Sequence, residues 1–332
     1  MSLFRRLVRW ILIAVGVAGI GSWIPIALAS QQGDLESVPA WALRDRLRRD
    51  VSGGKDIVIT SYVALWYKHS DDPSRNLYWG ALYGHEAMFR PSRRDEIARR
   101  LPFLDLAQWD AVYSASQDQD PIAIKVFALS HALPSIESVH DDSPSGDPTA
   151  PGRSSAQPSP VSRLIIVTLA YQDMRQAAVD LANQIKTGQL PRGVFAHPSV
   201  EGLMAGAYVM GYWGHNTYYG GISNDDLEAL ACTRADGPRG VFVIGCQTAR
   251  WFPQKFLGPG IEPLLFTLTN MAPEGYIALA LYDAIGRGLS LIQTVDQVAD
   301  AYREYQGLRN RPRLFVAGAD GIASHMVAVS GE

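Results

Sequence analysis

Three continuous apolar runs, Leu164 to Leu169, Ala207 to Trp213 and Gly240 to Gly245, alternate with stretches of helical periodicity. A run with no polar alternation suits a strand covered on both faces, as the inner strands of parallel sheets are. The spacing predicts a helix over Asp173 to Lys186 between the first two runs and a short one over Asp225 to Ala231 between the last two. Helices are also expected at Pro263 to Asn270, Tyr276 to Ile285 and Val295 to Tyr305, with a final strand at Leu314 to Ala317. Upstream, residues 34 to 50 read as an amphipathic helix and Asp56 to Tyr67 as a strand. Asn76 to Phe89 reads as a helix, and Ala111 to Ala115 and Ile122 to Leu129 as strands. Strands alternating with helices predict an α/β fold with a largely parallel sheet and helices on both faces, a three-layer α/β/α arrangement.

Two parts of the chain fall outside this pattern. Arg5, Arg6 and Arg9 precede an uncharged apolar run from Trp10 to Ala29, which Pro25 interrupts and Ala27-Leu28-Ala29 closes with a small-x-small site. That is the form of a secretory signal cleaved after Ala29. A run of this length also reads as a membrane anchor. Either reading exports the remainder, residues 30 to 332, to the periplasm or the outer face of the inner membrane, because the positive end stays inside. The second part, residues 134 to 160, is crowded with Pro, Ser, Asp and Gly. It offers almost nothing to bury and is expected to be a disordered surface insertion in one domain.

Composition removes several classes. The net charge of −3 leaves no basic stripe for nucleic acid. No phosphate loop, dinucleotide fingerprint or Gly-x-Ser-x-Gly elbow is present, and no cofactor is expected. The histidines other than His215 form no ligand set; His85 and Glu86 lack a second His at zinc spacing, so no metal is expected.

The candidate chemistry sits where two apolar runs end. Each run closes on glycine and then presents one reactive side chain: Gly214-His215-Asn216 and Gly245-Cys246-Gln247. Functional groups of open parallel sheets gather at such carboxyl ends. Adjacent parallel strands would therefore bring His215 to Cys246. A thiol is mostly protonated at neutral pH, and an imidazole beside it can take that proton and later protonate a leaving amine. The amides of Asn216 and Cys246 are candidates for the oxyanion hole. Taken alone, a Cys after an apolar strand is a buried small hydrophobe and a lone His a structural one; it is the pairing that points to catalysis. The chain has two cysteines, so a Cys232–Cys246 disulfide is the competing arrangement. The expectation is a free Cys246 thiolate and a core-filling Cys232 at the end of the Asp225 to Ala231 helix.

With these residues the chain resembles the caspase-like cysteine peptidases, the group that includes caspases, legumain, gingipains, clostripain and separase. Their shared pattern is a hydrophobic strand ending in His-Gly and a later one ending in Cys. Asn216 stands where that pattern has Gly. The chain is most similar to an uncharacterised set of bacterial caspase-like proteins, through Asn76-Leu77-Tyr78-Trp79-Gly80, Gly214-His215-Asn216, Met271-Ala272-Pro273-Glu274 and Ala301-Tyr302-Arg303-Glu304-Tyr305-Gln306. The similarity spans residues 56 to 310 or so. It implies a caspase-like fold and an exported cysteine endopeptidase acting on peptide or protein substrates, with a His215–Cys246 dyad and a thioacyl intermediate. A catalytically silent binding protein and an acyl or peptidyl transferase using the same thiol are the alternatives. Pocket residues are sought on Asn76 to Tyr83 and Met271 to Tyr276. Among them are Asn76 and Glu274, where Glu274 either meets a basic substrate side chain or is an acid at a helix N-terminus.

Overall fold

The computed structural model describes residues 42–104, 109–129, 162–216, 237–258 and 260–330. In chain order its elements are α1 (Ala42–Ser52), β1 (Ile57–Ala64), α2 (His85–Met88), α3 (Arg94–Arg100), β2 (Trp109–Ser116), β3 (Ala123–Leu129) and β4 (Leu164–Tyr171). There follow α4 (Met174–Thr187), α5 (Pro198–Ala205), β5 (Val209–Trp213), β6 (Arg239–Ile244), α6 (Thr248–Trp251), α7 (Pro253–Phe256) and β7 (Ile261–Thr267). The last are α8 (Gly275–Gly286), α9 (Leu291–Gln306), β8 (Phe315–Val316) and α10 (Ala319–Ser330).

The fold is α/β. One eight-stranded sheet runs in the order β2-β3-β4-β1-β5-β6-β7-β8. The inner strands β4, β1, β5, β6 and β7 are parallel, while β2, β3 and β8 pair antiparallel toward the edges. Every residue of β1, β4, β5, β6 and β7 is buried. Both faces of these strands are covered, which is why they read as unbroken apolar runs.

Successive strand residues join two separate apolar clusters, as the twofold period of a strand requires. Ile57, Ile59 and Val63 of β1 share one cluster with Leu43, Leu47 and Val51 of α1 and with residues of α8 and α9. Val58 and Tyr62 share the other with Ala177, Leu181 and Ile185 of α4 and Val200 and Met204 of α5. Helix α8 is buried along its whole length. Gly211 of β5 has a specific packing reason: a Cβ there would lie 2.3 Å from the ring of Phe242, which fills the space beside it on β6.

Local signals set several helix ends. The Asp173 carboxylate accepts from the amides of Arg175 and Gln176 at the start of α4, and Gly188, at φ 78°, closes it. Ser290 and Gln293 form a reciprocal capping box on α9.

Two expected elements differ. Pro263 to Asn270 contains the strand β7 in place of a helix. Pro263 has no N–H to donate, and the β6–β7 register shifts there, between Val241 and Phe242, before pairing resumes at Leu265. Asn76 to Phe89 is a chain of turns with one helical turn at His85–Met88. Gly80 and Gly84 seat the backbone of this segment against itself, so that a Cβ on Gly84 would lie 2.4 Å from the Trp79 carbonyl oxygen. The helix expected over 34 to 50 is described from Ala42 onward. Residues 1–29, the insertion 134–160, the helix expected over Asp225 to Ala231 and Cys232 lie outside the described residues. Among the described residues no helix is long and apolar enough to cross a membrane.

Glu262 of β7 is buried, and its carboxylate accepts the Leu43 amide in the first turn of α1. Burial pushes it from an ordinary 4.5 up to about 7. The folded state therefore holds this proton at pH values where the unfolded chain releases it. Stability should fall as pH rises between these two values, at about 1.4 kcal/mol per pH unit. Glu262→Gln is expected to remove this slope and to raise stability above pH 7. Denaturant unfolding of both proteins across pH 4 to 8 checks it, and parallel curves would contradict it.

Candidate active site

Strands β5 and β6 are neighbours and parallel, with Trp213 in register with Ile244. His215 and Cys246 each follow two positions later, so the two strands deliver them to the same edge of the sheet. The Gly214 amide donates to the Ile244 carbonyl at 3.0 Å and carries the pairing one residue past β5. Gly214 is at φ 151°, a backbone angle that other residues rarely adopt. A Cβ on Gly245 would come within 2.5 Å of the Gly214 carbonyl oxygen. Only hydrogen at that position lets the two strand ends approach this closely.

Two clamps hold the ends together. The Asn216 side-chain amide donates to the Cys246 carbonyl at 2.6 Å, and the Tyr212 hydroxyl donates to the His215 carbonyl at 2.6 Å. Behind the thiol, the Thr248 hydroxyl donates to the Val243 carbonyl at 2.6 Å, and the Thr267 hydroxyl donates to the Gly245 carbonyl. The hydroxyls of Thr248 and Thr267 lie 2.8 Å apart. Gln247 takes a left-handed conformation, φ 52°, and its amide donates to the Thr269 carbonyl. The turn after Cys246 is thereby tied to the end of β7.

Both reactive side chains are partly buried. The His215 ring stands edge-on to Trp66, with centroids 5.6 Å apart and planes at 87°. The Cys246 thiol is free, and its Sγ lies 3.4 Å from the Met271 carbonyl oxygen, to which it donates. Trp66, Tyr78 and Met271 all belong to the apolar cluster that includes α8. His215 and Cys246 thus turn toward the same side of the sheet. Trp66 is positioned by Asn76, whose side-chain oxygen accepts the Trp66 and Tyr78 amides at 3.1 and 3.0 Å. The Asn76 nitrogen donates to the carbonyls of Trp66, Lys68 and His69. Asn76, proposed from sequence as a pocket residue, is fully buried with its amide given over to this loop.

Glu274 is partly buried at the N-terminus of α8. Its Oε2 accepts from the Tyr276 hydroxyl and from Gln306 Nε2, and burial pushes the carboxyl up. The segment leading to it is pinned by the Trp213 indole, which donates to the Pro273 carbonyl at 2.7 Å. Asn216 is fully buried, and its side chain makes the contact with Cys246. The Cys246 amide donates to no described group.

The electrostatics differ from the expected thiolate. Burial pushes the Cys246 thiol up and the His215 imidazole down. Both shifts favour the neutral forms, because neither ion is well solvated at the edge. Sequence reasoning did not reach Trp66, Thr248 or Thr267; nothing in their local sequence distinguishes them from core residues. Among the described residues His85 is the one fully buried histidine. It is enclosed by Trp79 and Phe89, hydrogen-bonded to Tyr282 at 2.9 Å, and pushed down to about 3 by burial, which makes it a neutral core residue. Among the described residues no three His, Cys, Asp or Glu side chains converge as a metal site. Compared with protein-family models, curated proteins and solved structures, the chain matches none.

Gly245→Ala forces a methyl group against the Gly214 carbonyl. It is expected to cost about 1–3 kcal/mol of stability, as overpacking does, and to change the rate at which iodoacetamide alkylates Cys246. Calorimetry and timed alkylation measure both. A variant matching the wild type in both would rule out the close approach.

Proposed function

We propose that this chain is an exported cysteine peptidase with the three-layer caspase-like arrangement, hydrolysing peptide bonds in protein substrates. The observation that carries this reading is the delivery of His215 and a free Cys246 thiol to one sheet edge by adjacent parallel strands. In the proposed cycle, His215 takes the Cys246 proton as sulfur adds to the substrate carbonyl. The tetrahedral adduct collapses to a thioacyl enzyme, and the departing amine takes the proton from His215. Water, deprotonated by His215, releases the acid and restores the thiol. A resting thiol–imidazole pair suits this cycle because the proton transfer accompanies attack. The periplasmic location rests on the N-terminal segment, whose two fates were given above.

The same burial favours a second reading, a silent binding protein, since a thiol held protonated is a poor nucleophile. Iodoacetamide labelling separates the two. For a peptidase, Cys246 labelling in the purified full-length chain should slow at least several-fold in His215→Ala, and a fluorogenic peptide library should be cleaved by the wild type and untouched by Cys246→Ala. Labelling indifferent to His215, with no cleavage, would leave the binding protein. Labelling should also rise with pH through and beyond the ordinary thiol range, because burial raises the thiol pKa.

A further inference from the structure

Seven tyrosines among the described residues are buried. Six of them donate their hydroxyl protons inside the protein: Tyr62 to Gln184, Tyr171 to Asp180, Tyr208 to Asp50, Tyr212 to the His215 carbonyl, Tyr276 to Glu274 and Tyr282 to Ser61. Tyr78 does not. Its backbone is engaged, the amide with Asn76 and the carbonyl with the His85 amide, but its hydroxyl bonds to no described group. Tyr78 as a whole is 8% exposed. A buried phenol whose hydroxyl is not spent on a described group keeps one directed donor.

The donor belongs to the site. The Tyr78 ring packs edge-on to Trp66 at 5.5 Å, and Trp66 packs edge-on to His215 at 5.6 Å. Asn76 fixes the backbone of both aromatic residues. Burial first, and then the Cys246 and Glu274 side chains in their ionised forms, push the phenol's pKa up, so it keeps its proton throughout the working pH range. Asn216 is fully buried, and the Cys246 amide is the backbone donor there that has no described acceptor.

We propose that the Tyr78 hydroxyl is a catalytic oxyanion donor, acting with the Cys246 amide on the carbonyl oxygen of the substrate. The inference rests on the peptidase reading. As sulfur bonds to the carbonyl carbon, the C=O π pair moves onto oxygen and the thiol proton goes to His215. Tyr78 stabilises the resulting O⁻ by hydrogen bonding and keeps its proton. When the pair returns, the C–N bond breaks and His215 protonates the amine. A donor aimed at charge that forms only in the transition state raises kcat with little effect on substrate binding.

The test is Tyr78→Phe in the full-length protein, with folding checked by melting temperature. Three rates or affinities are compared with the wild type: turnover of a fluorogenic peptide drawn from the library, affinity for the aldehyde of that peptide, and alkylation of Cys246 by iodoacetamide. The aldehyde forms a tetrahedral adduct with sulfur; iodoacetamide reacts at a saturated carbon and develops no oxyanion. The expected result is a fall of about 10²–10³ in kcat, with KM close to wild type, a parallel loss of aldehyde affinity and unchanged alkylation. Turnover and aldehyde affinity within threefold of wild type would overturn the proposal and leave the peptidase reading standing. An equal loss in all three, alkylation included, would overturn it in favour of a wall that shapes the thiol's surroundings. A wild type that neither cleaves the library nor binds peptide aldehydes would remove the peptidase reading, and this inference with it.

Discussion

The close approach of Gly214 and Gly245 governs everything at the crevice. A Cβ on Gly245 would sit 2.5 Å from the Gly214 carbonyl oxygen, so the strand ends can meet there only as bare backbone. Once they meet, the Gly214 amide reaches the Ile244 carbonyl and Asn216 spans from one end to the other. The threonine pair behind them, Thr248 and Thr267, ties the turn after Cys246 to β7. The reactive residues are carried on this frame. Their separation is set by hydrogen-bonded backbone, which is stiffer than any pairing of side chains.

Burial then decides the charge state. A more open edge would solvate a thiolate and an imidazolium, and the pair could rest as ions. Here both are partly shielded, and desolvation opposes either charge. For the proposed peptidase this has a chemical consequence: the proton would move as the nucleophile attacks, so catalysis would depend on stabilising the charge that appears on the substrate. That places the demand on the donors around the carbonyl oxygen and makes the unspent Tyr78 hydroxyl significant.

The loop after β1 packs against His215 through Trp66. One buried amide, Asn76, ties two backbone amides and three carbonyls between Trp66 and Tyr78. A loop with so many internal bonds holds Trp66 and Tyr78 in place without regular secondary structure. Its cost is the loss of helix over Asn76 to Phe89, where apolar spacing alone suggests one. The polar groups that a helix would satisfy are satisfied instead by a single side chain and by turns.

The apolar runs by themselves determined the α/β class and the inner parallel strands, because only a strand buried on both faces dispenses with polar residues. The position of His215 and Cys246 after strand-ending glycines was legible for the same reason: a glycine there marks a sharp change of backbone direction. The strand at Ile261–Thr267 was not legible, since Pro263 argues against a strand and only pairing with β6, with its register shift, accommodates it. Nor could sequence distinguish Asn76 as a loop clamp from Asn76 as a pocket residue, or separate Tyr78 from the other buried tyrosines. Those distinctions depend on which hydrogen bonds are already made, and partners remote in sequence make them. The shifts that favour neutral forms of His215 and Cys246 were likewise a tertiary outcome, because desolvation depends on what the rest of the fold packs around a side chain and has no signature in the residues beside it.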